Sequence, residues 1–324
     1  MRLSLVIPLL NEEANLQLLY ERLVGLTARL QCEREILFID DGSTDRSREV
    51  IARLCEQDST VRGISFSRNF GHEAASTAGL DHARGDAVVL MDADLQDPPE
   101  LIEEMVRRWQ QGAEIVYAQR RNREGETAFK RGTAWCFYRF LNFLSDVHIP
   151  QDTGDFRLMD RRVVEALRGC RESDRFLRGL VAWTGFRAEA VEYDRPARHG
   201  GETKYNALKL LWLSLDAAVG FSILPLRLAT AMGFIVTIFS LVMVAIIVVQ
   251  KLVYGLPWQG YGLLAAGMFF LGGVQMLLLG IVGEYIGRVY RQSQARPLYI
   301  VRDHLGEPGG RPGESALAME PASR

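Results

Sequence analysis

The sequence predicts an α/β fold: a mostly parallel sheet with helices on both faces, followed by interfacial amphipathic helices and a two-helix transmembrane hairpin. Three observations carry this. Short apolar strands alternate with helically spaced segments over residues 1 to about 125, the rhythm of a parallel sheet. Polar segments rich in Asp, Asn and Glu follow several of those strands. Two long uncharged runs lie toward the C-terminus, at 229–249 and 260–283.

Leu3–Pro8 reads as the first strand, too short and too soon interrupted to be a secretion signal. Glu12–Leu30 has helical spacing, and Glu35–Ile39 is the second strand. Ser43 and Asp45 are placed to cap a helix running through Val50 and Leu54. Val61–Phe66 is a strand, Glu73–Arg84 a helix, Ala87–Met91 a strand, Pro99–Gln110 a helix, and Glu114–Ala118 closes the series. Ligands of such sheets bind beyond the carboxyl ends of the strands. Pro8–Glu12, Asp40–Ser43, Arg68–Gly71 and Asp92–Gln96 all fall there, so they are read as one site.

The 324 residues exceed what one compact domain needs. A net charge of −2 provides no basic field for nucleic acid, which is excluded as a partner. Cys32, Cys55, Cys136 and Cys170 show no C-x-x-C spacing, so neither a zinc site nor a disulfide framework is expected.

Each uncharged run is long enough to span a hydrocarbon core of ~30 Å as a helix. The link Lys251–Gln259 carries Tyr254, Pro257 and Trp258, the aromatic anchors of a hairpin turn. Lys204, Lys209 and Arg227 precede the first run and Arg288, Arg291 and Arg296 follow the second, whereas the turn holds only Lys251. That asymmetry places the large N-terminal region and both termini in the cytoplasm, on a multi-pass protein of the inner (cytoplasmic) membrane. The expected organisation is a catalytic domain at 1–200, a juxtamembrane amphipathic segment at 201–226, a hairpin at 227–287 with helices at about 229–249 and 261–283, and a tail at 288–324 with a disordered end. Within the first region, the basic and aromatic stretch at 129–145 reads as an interfacial helix. Glu284 and Arg288 have the i, i+4 spacing of a helical ion pair.

The chemistry centres on Met91-Asp92-Ala93-Asp94-Leu95-Gln96-Asp97-Pro98-Pro99. Carboxylates at the end of a buried strand are expensive unless something neutralises them. A hard divalent cation completed by substrate phosphate does so. Asp92, Asp94 and Gln96 share one side if the strand continues through them.

Val6-Ile7-Pro8-Leu9-Leu10-Asn11-Glu12-Glu13, Ile39-Asp40-Asp41-Gly42-Ser43-Thr44-Asp45 and Asp92–Glu100 together resemble the GT-A (Rossmann-like) glycosyltransferases of family two. With Asp152-Thr153-Gly154-Asp155-Phe156-Arg157-Leu158, Gly201-Glu202-Thr203-Lys204-Tyr205 and the hairpin, the chain is most similar to polyprenyl-phosphate glycosyltransferases of the bactoprenol glucosyltransferase branch. The resemblance implies that Pro8, Leu10 and Glu12 contact the nucleotide, although position 10 is often tyrosine in that motif. It implies that Asp41 reads the base or ribose and that Asp92 and Ala93 touch diphosphate and sugar. Asp94 and Gln96 would hold Mg²⁺ or Mn²⁺, with Asp94 also counted as catalytic. Arg120, Arg198 and Lys204 would engage the donor's sugar and phosphates, and Asp155 would be the base or aligning acid. The implied partners are a nucleotide-sugar donor, a polyprenyl (undecaprenyl) phosphate acceptor, the membrane and a second copy of the chain. The implied reaction is inverting, metal-dependent transfer of a hexose, glucose from UDP-glucose first, with GDP-mannose or another nucleotide sugar as the alternative donor. A non-catalytic membrane adaptor or lipid-translocation protein is the competing class. His72 reads equally as a donor contact or a loop histidine, and Arg175 and Arg178 as an acceptor-phosphate site or a solvated helix face.

Overall fold

The computed structural model describes residues 1–120, 153–173, 175–193, 224–254 and 260–306. The chain divides into two units. One holds 1–132, 147–203 and 296–324, and the other 133–146 and 204–295.

The first unit is built on an eight-stranded sheet among the described residues. In chain order its elements are β1 (Arg2–Leu9), α1 (Leu16–Leu30), β2 (Glu33–Asp40), α2 (Ser47–Gln57), β3 (Val61–Phe66), α3 (His72–His82), β4 (Ala87–Leu90), α4 (Leu101–Gln110) and β5 (Ile115–Arg120). They continue with β6 (Thr153–Asp160), α5 (Arg161–Gly169), α6 (Leu177–Trp183), β7 (Ala188–Tyr193) and, far downstream, β8 (Val301–Leu305). The strand order is β7-β5-β6-β4-β1-β2-β3-β8. The block β4-β1-β2-β3 is parallel, as is β5 with β7. β6 enters antiparallel between β4 and β5, and β8 closes the other edge antiparallel to β3.

Strand alternation divides the core into two layers. Leu3, Leu5, Ile7 and Leu9 of β1, with Ile36 and Phe38 of β2, face Leu19 and Leu23 of α1, Ile51 of α2 and Met105 of α4. Val6, Leu37 and Ile39 face the opposite layer, with Ala75 and Ala78 of α3, Val163 and Leu167 of α5, and Leu180 of α6. Gly79 permits the close approach of α3 to β1, because a Cβ there would lie 2.0 Å from Val6 Cγ1.

The described elements sharpen the sequence expectations. The first helix starts at Leu16, which leaves 10–15 as a loop at the sheet edge. Asp45 accepts from the Ser47 amide at the start of α2, whereas Ser43 accepts instead from the Asn11 amide. β4 ends at Leu90, and Leu95 adopts φ 57°, so Asp92–Gln96 form a turn rather than a strand extension. The alternation argument for their shared side therefore fails. A segment expected as tail contains β8, anchored by the Arg48–Asp303 ion pair at 2.6 Å and by Tyr299, which stacks on Phe66 at 5.1 Å between centroids. Cys32, Cys55 and Cys170 are free cysteines, and Cys136 lies outside the described residues.

The second unit is described through two helices that pack on each other, α7 (Leu224–Tyr254, 31 residues) and α8 (Tyr261–Ser293, 33 residues). Pro225 sits in the first turn of α7, where its missing N–H costs no helical bond. Phe270–Ser293 of α8 is long and apolar enough to cross a membrane, and Ala229–Met243 of α7 is a shorter apolar stretch. Phe234, Phe239, Leu252, Met268 and Met276 are exposed on these helices. An apolar surface of that extent marks a membrane or protein partner. Glu284 and Arg288 pair at 3.7 Å. The interfacial helix at 129–145, the segment 201–223, Asp152, Arg198, Lys204, the turn at 255–259 and the tail beyond 306 lie outside the described residues.

Candidate active site

Parallel pairing brings the carboxyl ends of β1, β2, β3 and β4 to one edge of the sheet. β6 runs the opposite way, with Leu90 paired to Arg157, so the start of β6 meets the end of β4. Asp155 thereby arrives beside Asp92, although the two lie far apart in sequence.

The loops at this edge fasten one another. Asn11, at φ 57°, accepts from the Thr44 amide at 2.8 Å through Oδ1, while its own amide donates to Ser43 Oγ at 2.9 Å. The Glu12 amide donates to Ser47 Oγ at 2.9 Å. Asp40 accepts from the Ser43 amide and the Ser65 hydroxyl, which holds the second loop against β3. Gly42, at φ +73°, is required because a Cβ there would sit 2.6 Å from the Arg68 carbonyl carbon. Asp41 accepts from the amides of Phe70 (2.7 Å) and Gly71 (2.9 Å). Burial raises its pKa, and those two amides work against the rise.

Between the loops lies a cleft of about 410 Å³. Pro8, Leu10, Glu12 and Asp41 line one side of it, and Asp92, Ala93, Asp94 and Asp155 line another, with Asn69, Gly71 and His72 completing the wall. Eight of the residues expected at the site are thus assembled in one place. Leu10 is 39% exposed there. Gln96 is not part of this lining, and its amide donates to Asp94 Oδ1 at 3.1 Å. Arg120 ends β5 opposite Tyr193, a placement of its backbone only.

The charges within the cleft are unequal in kind. Asp92 is pushed up to about 6 by burial and by the neighbouring carboxylates of Asp155, Asp94 and Asp97, with His72 opposing. Asp155 faces burial too, yet the Arg178 guanidinium, His72 and Arg157 hold its carboxyl far below the usual range. Arg178 grips both Asp155 oxygens, Nε to Oδ1 at 2.7 Å and a terminal nitrogen to Oδ2 at 2.8 Å. His72 Nε2 lies 3.4 Å from Asp155 and 3.6 Å from Asp92. Asp155 is therefore an ionised, fixed carboxylate and a weak proton acceptor.

One of these partners carries no local signature in the sequence. Arg178 belongs to Asp155 across 23 positions of chain, which no spacing rule connects. Arg175, the other arginine singled out there, caps α5 by donating to the carbonyls of Cys170 and Leu167. Among the described residues no group of three His, Cys, Asp or Glu side chains could hold a metal alone. The surplus of carboxylate around Asp92 and Asp94 nevertheless fits a hard cation with an incomplete protein shell, closed by phosphate oxygens and water.

The signature of glycosyl transferase family 2 matches residues 4–168. An uncharacterized glycosyltransferase of Synechocystis sp. is 45% identical over 304 residues, 94% of this chain and 96% of that protein. The uncharacterized glycosyltransferase YkcC of Bacillus subtilis is 46% identical over 303 residues, 94% of each chain. The bactoprenol glucosyl transferase of Shigella phage SfV is 42% identical over 303 residues, 94% of this chain and 99% of that one.

Proposed function

Because the chain belongs to glycosyl transferase family 2, we propose that it transfers glucose from a uridine diphosphate donor to a polyprenyl phosphate at the cytoplasmic face of a membrane. The observation that carries this reading is similarity to a bactoprenol glucosyl transferase across 94% of the chain, which takes in both long helices as well as the sheet. Mannose from a guanosine diphosphate donor is the alternative within the same chemistry. It differs only in contacts around the sugar and base, and a few hydrogen bonds decide such choices.

The site residues fit the reaction. Asp94, with Gln96 next to it in the turn, is the proposed anchor for Mg²⁺ or Mn²⁺, and Asp92 and Ala93 lie where diphosphate and sugar would pass. A bound divalent cation would stabilise the charge that develops on the departing diphosphate. Pro8, Leu10, Glu12 and Asp41 form the nucleotide side, with Arg120, Arg198 and Lys204 proposed as further phosphate and sugar contacts. An oxygen of the lipid phosphate attacks the anomeric carbon as its bond to the diphosphate breaks. The diphosphate leaves with that bonding pair, and the configuration inverts from α to β. A phosphate is already anionic, so Asp155 need not remove a proton; its low pKa suits orientation instead.

The hairpin reading gains support from β8. This strand follows α8 in sequence yet pairs with β3. Both strands must share one side of the bilayer, so an even number of crossings separates them. A single crossing by Phe270–Ser293 would strand β8 on the far side. Crossing by α7 and α8 together, with both termini cytoplasmic, satisfies the constraint. A homo-oligomer built through these helices is part of the proposal.

The test uses purified full-length protein in nanodiscs containing undecaprenyl phosphate and Mg²⁺ or Mn²⁺, with a panel of radiolabelled nucleotide sugars. Label should enter the lipid phase from UDP-glucose and vanish with chelator. Transfer from a different donor would rename the sugar. Absence of both transfer and donor binding would remove the enzymatic reading and favour an adaptor or lipid-translocation role.

A further inference from the structure

His72 is the first residue of α3 and lies on the cleft wall, 43% exposed, whereas the Asp155 side chain is only 13% exposed. The imidazole thus presents itself to a ligand more openly than the acid it touches. Its Nε2 is surrounded by Asp155 at 3.4 Å, Asp92 at 3.6 Å and Ser76 Oγ at 3.5 Å. No hydrogen-bond partner holds its Nδ1 among the described residues, so in the doubly protonated ring, with Nε2–H turned to the carboxylates, the Nδ1–H is left to donate elsewhere. A cation in the first turn of a helix opposes the helix dipole, so the stability of α3 does not account for this residue. Behind it, Asp155 is clamped by Arg178 and approached by Arg157 at 3.7 Å.

We propose that His72 contacts a substrate phosphate directly, its free imidazole N–H donating to a phosphate oxygen, and that Arg178 is the positioning residue that fixes Asp155 behind it. The charged groups facing His72 are Asp41, Asp92, Asp155 and Glu73, with Arg178 and Arg157 beyond Asp155. The hydrogen bond to Asp155 raises the His72 pKa and outweighs the cost of burial, which favours the doubly protonated ring. This inference rests on the transferase reading, because that reading supplies two phosphates: the nucleoside diphosphate and the lipid phosphate. The same N–H to phosphate bond serves either, and the experiment separates them.

The donor arm is calorimetric titration of UDP with Mg²⁺ into full-length protein. The acceptor arm is the KM for undecaprenyl phosphate at saturating UDP-glucose. A charge-assisted bond lost to His72→Ala should weaken one arm by about tenfold and leave the other within about twofold. The weakened arm names the phosphate. His72→Phe keeps the bulk of a ring without an N–H and should reproduce the loss, whereas His72→Gln should restore part of it. Arg178→Ala should lower kcat with UDP affinity unchanged, and Arg178→Lys should recover part of that. Wild-type values in both arms for His72→Ala and His72→Phe would overturn the phosphate contact. Equal losses in His72→Phe and His72→Gln would also overturn it, as would an unchanged kcat in Arg178→Ala for the positioning role. If the wild type transfers no sugar, the transferase reading fails separately, and the acceptor arm is then read as binding of undecaprenyl phosphate: unchanged affinity for both UDP and the lipid phosphate in His72→Ala sinks the contact.

Discussion

The two ends of this sheet treat acidic side chains in opposite ways. At the amino end of the parallel strands, Glu35 is 1% exposed and fully engaged. It accepts from the Ser4 hydroxyl, from Arg62 at 2.9 Å and from the Arg84 amide at 2.8 Å, with Arg2 at 3.5 Å. Burial alone would raise its pKa, but these partners hold it below the usual value. At the carboxyl end, Asp92 is half-buried among like charges and is pushed up to about 6. The first arrangement is closed and holds strands together. The second is left short of positive charge, which is the condition for receiving a cation and a phosphate ligand. One fold thus spends its polar contacts on cohesion at one end and withholds them at the other.

The largest effect that separates the ends should come from Asp94→Ala. Sugar transfer should fall by roughly a thousandfold or more if the residue anchors the cation, with a melting temperature close to that of the wild type. A matching collapse of stability would erase the distinction. Glu35→Ala should do the reverse, because it takes the carboxylate partner away from the buried Arg62 guanidinium: a loss of about 3–5 kcal/mol in denaturant unfolding, with donor KM unchanged in the protein that remains folded. At the β8 edge, Tyr299→Ala removes a ring stacked on Phe66 and a hydroxyl that donates to Asp81 at 2.9 Å. Unfolding should detect a cost of about 2 kcal/mol, and transfer per folded molecule should hold.

The smallest effect is the sharpest discriminator. Asp92 has a folded pKa above its unfolded one, so its charged form destabilises the fold at pH 7. Asp92→Asn should therefore stabilise by about 1 kcal/mol, a figure already reduced for the side chain's contact with solvent. That gain should shrink as pH falls through about 6 and be gone by roughly pH 3, below the unfolded value, where the wild-type acid is neutral in both states. Glu35 has the opposite sign: its contribution is present above the unfolded carboxylate pKa and is lost as pH falls. Parallel pH profiles for the two variants would break the comparison.

The parallel half of the sheet was legible because β1 to β4 announce themselves locally. Leu3, Leu5 and Ile7 alternate with residues that pack on the opposite layer, and each strand is followed by a helix of matching spacing. Both antiparallel strands escaped notice for a shared reason. Thr153–Asp160 and Val301–Leu305 are interrupted by the charged side chains Asp155, Arg157, Arg302 and Asp303, so their pairing depends on distant partners rather than on their own pattern. The site was legible to the same extent as the strands that end in it. Asp41, Asp92 and Asp94 follow predicted strands. Arg178 became meaningful only once β6 had carried Asp155 to Asp92. His72 was visible in the sequence, but only its exposure on the cleft wall separated a ligand contact from an ordinary loop histidine.

The late position of β8 also sets an order on biosynthesis. While the ribosome is still making α7 and α8, β3 is an edge strand with unpaired amides and carbonyls. The loop that leaves it supplies Asn69, Gly71 and His72 to the cleft wall. The sheet can be finished only after both long helices have emerged, so the last strand reports on the helices before it. A chain arrested or mis-inserted within that stretch would expose an open sheet edge, the kind of surface that proteases and chaperones recognise.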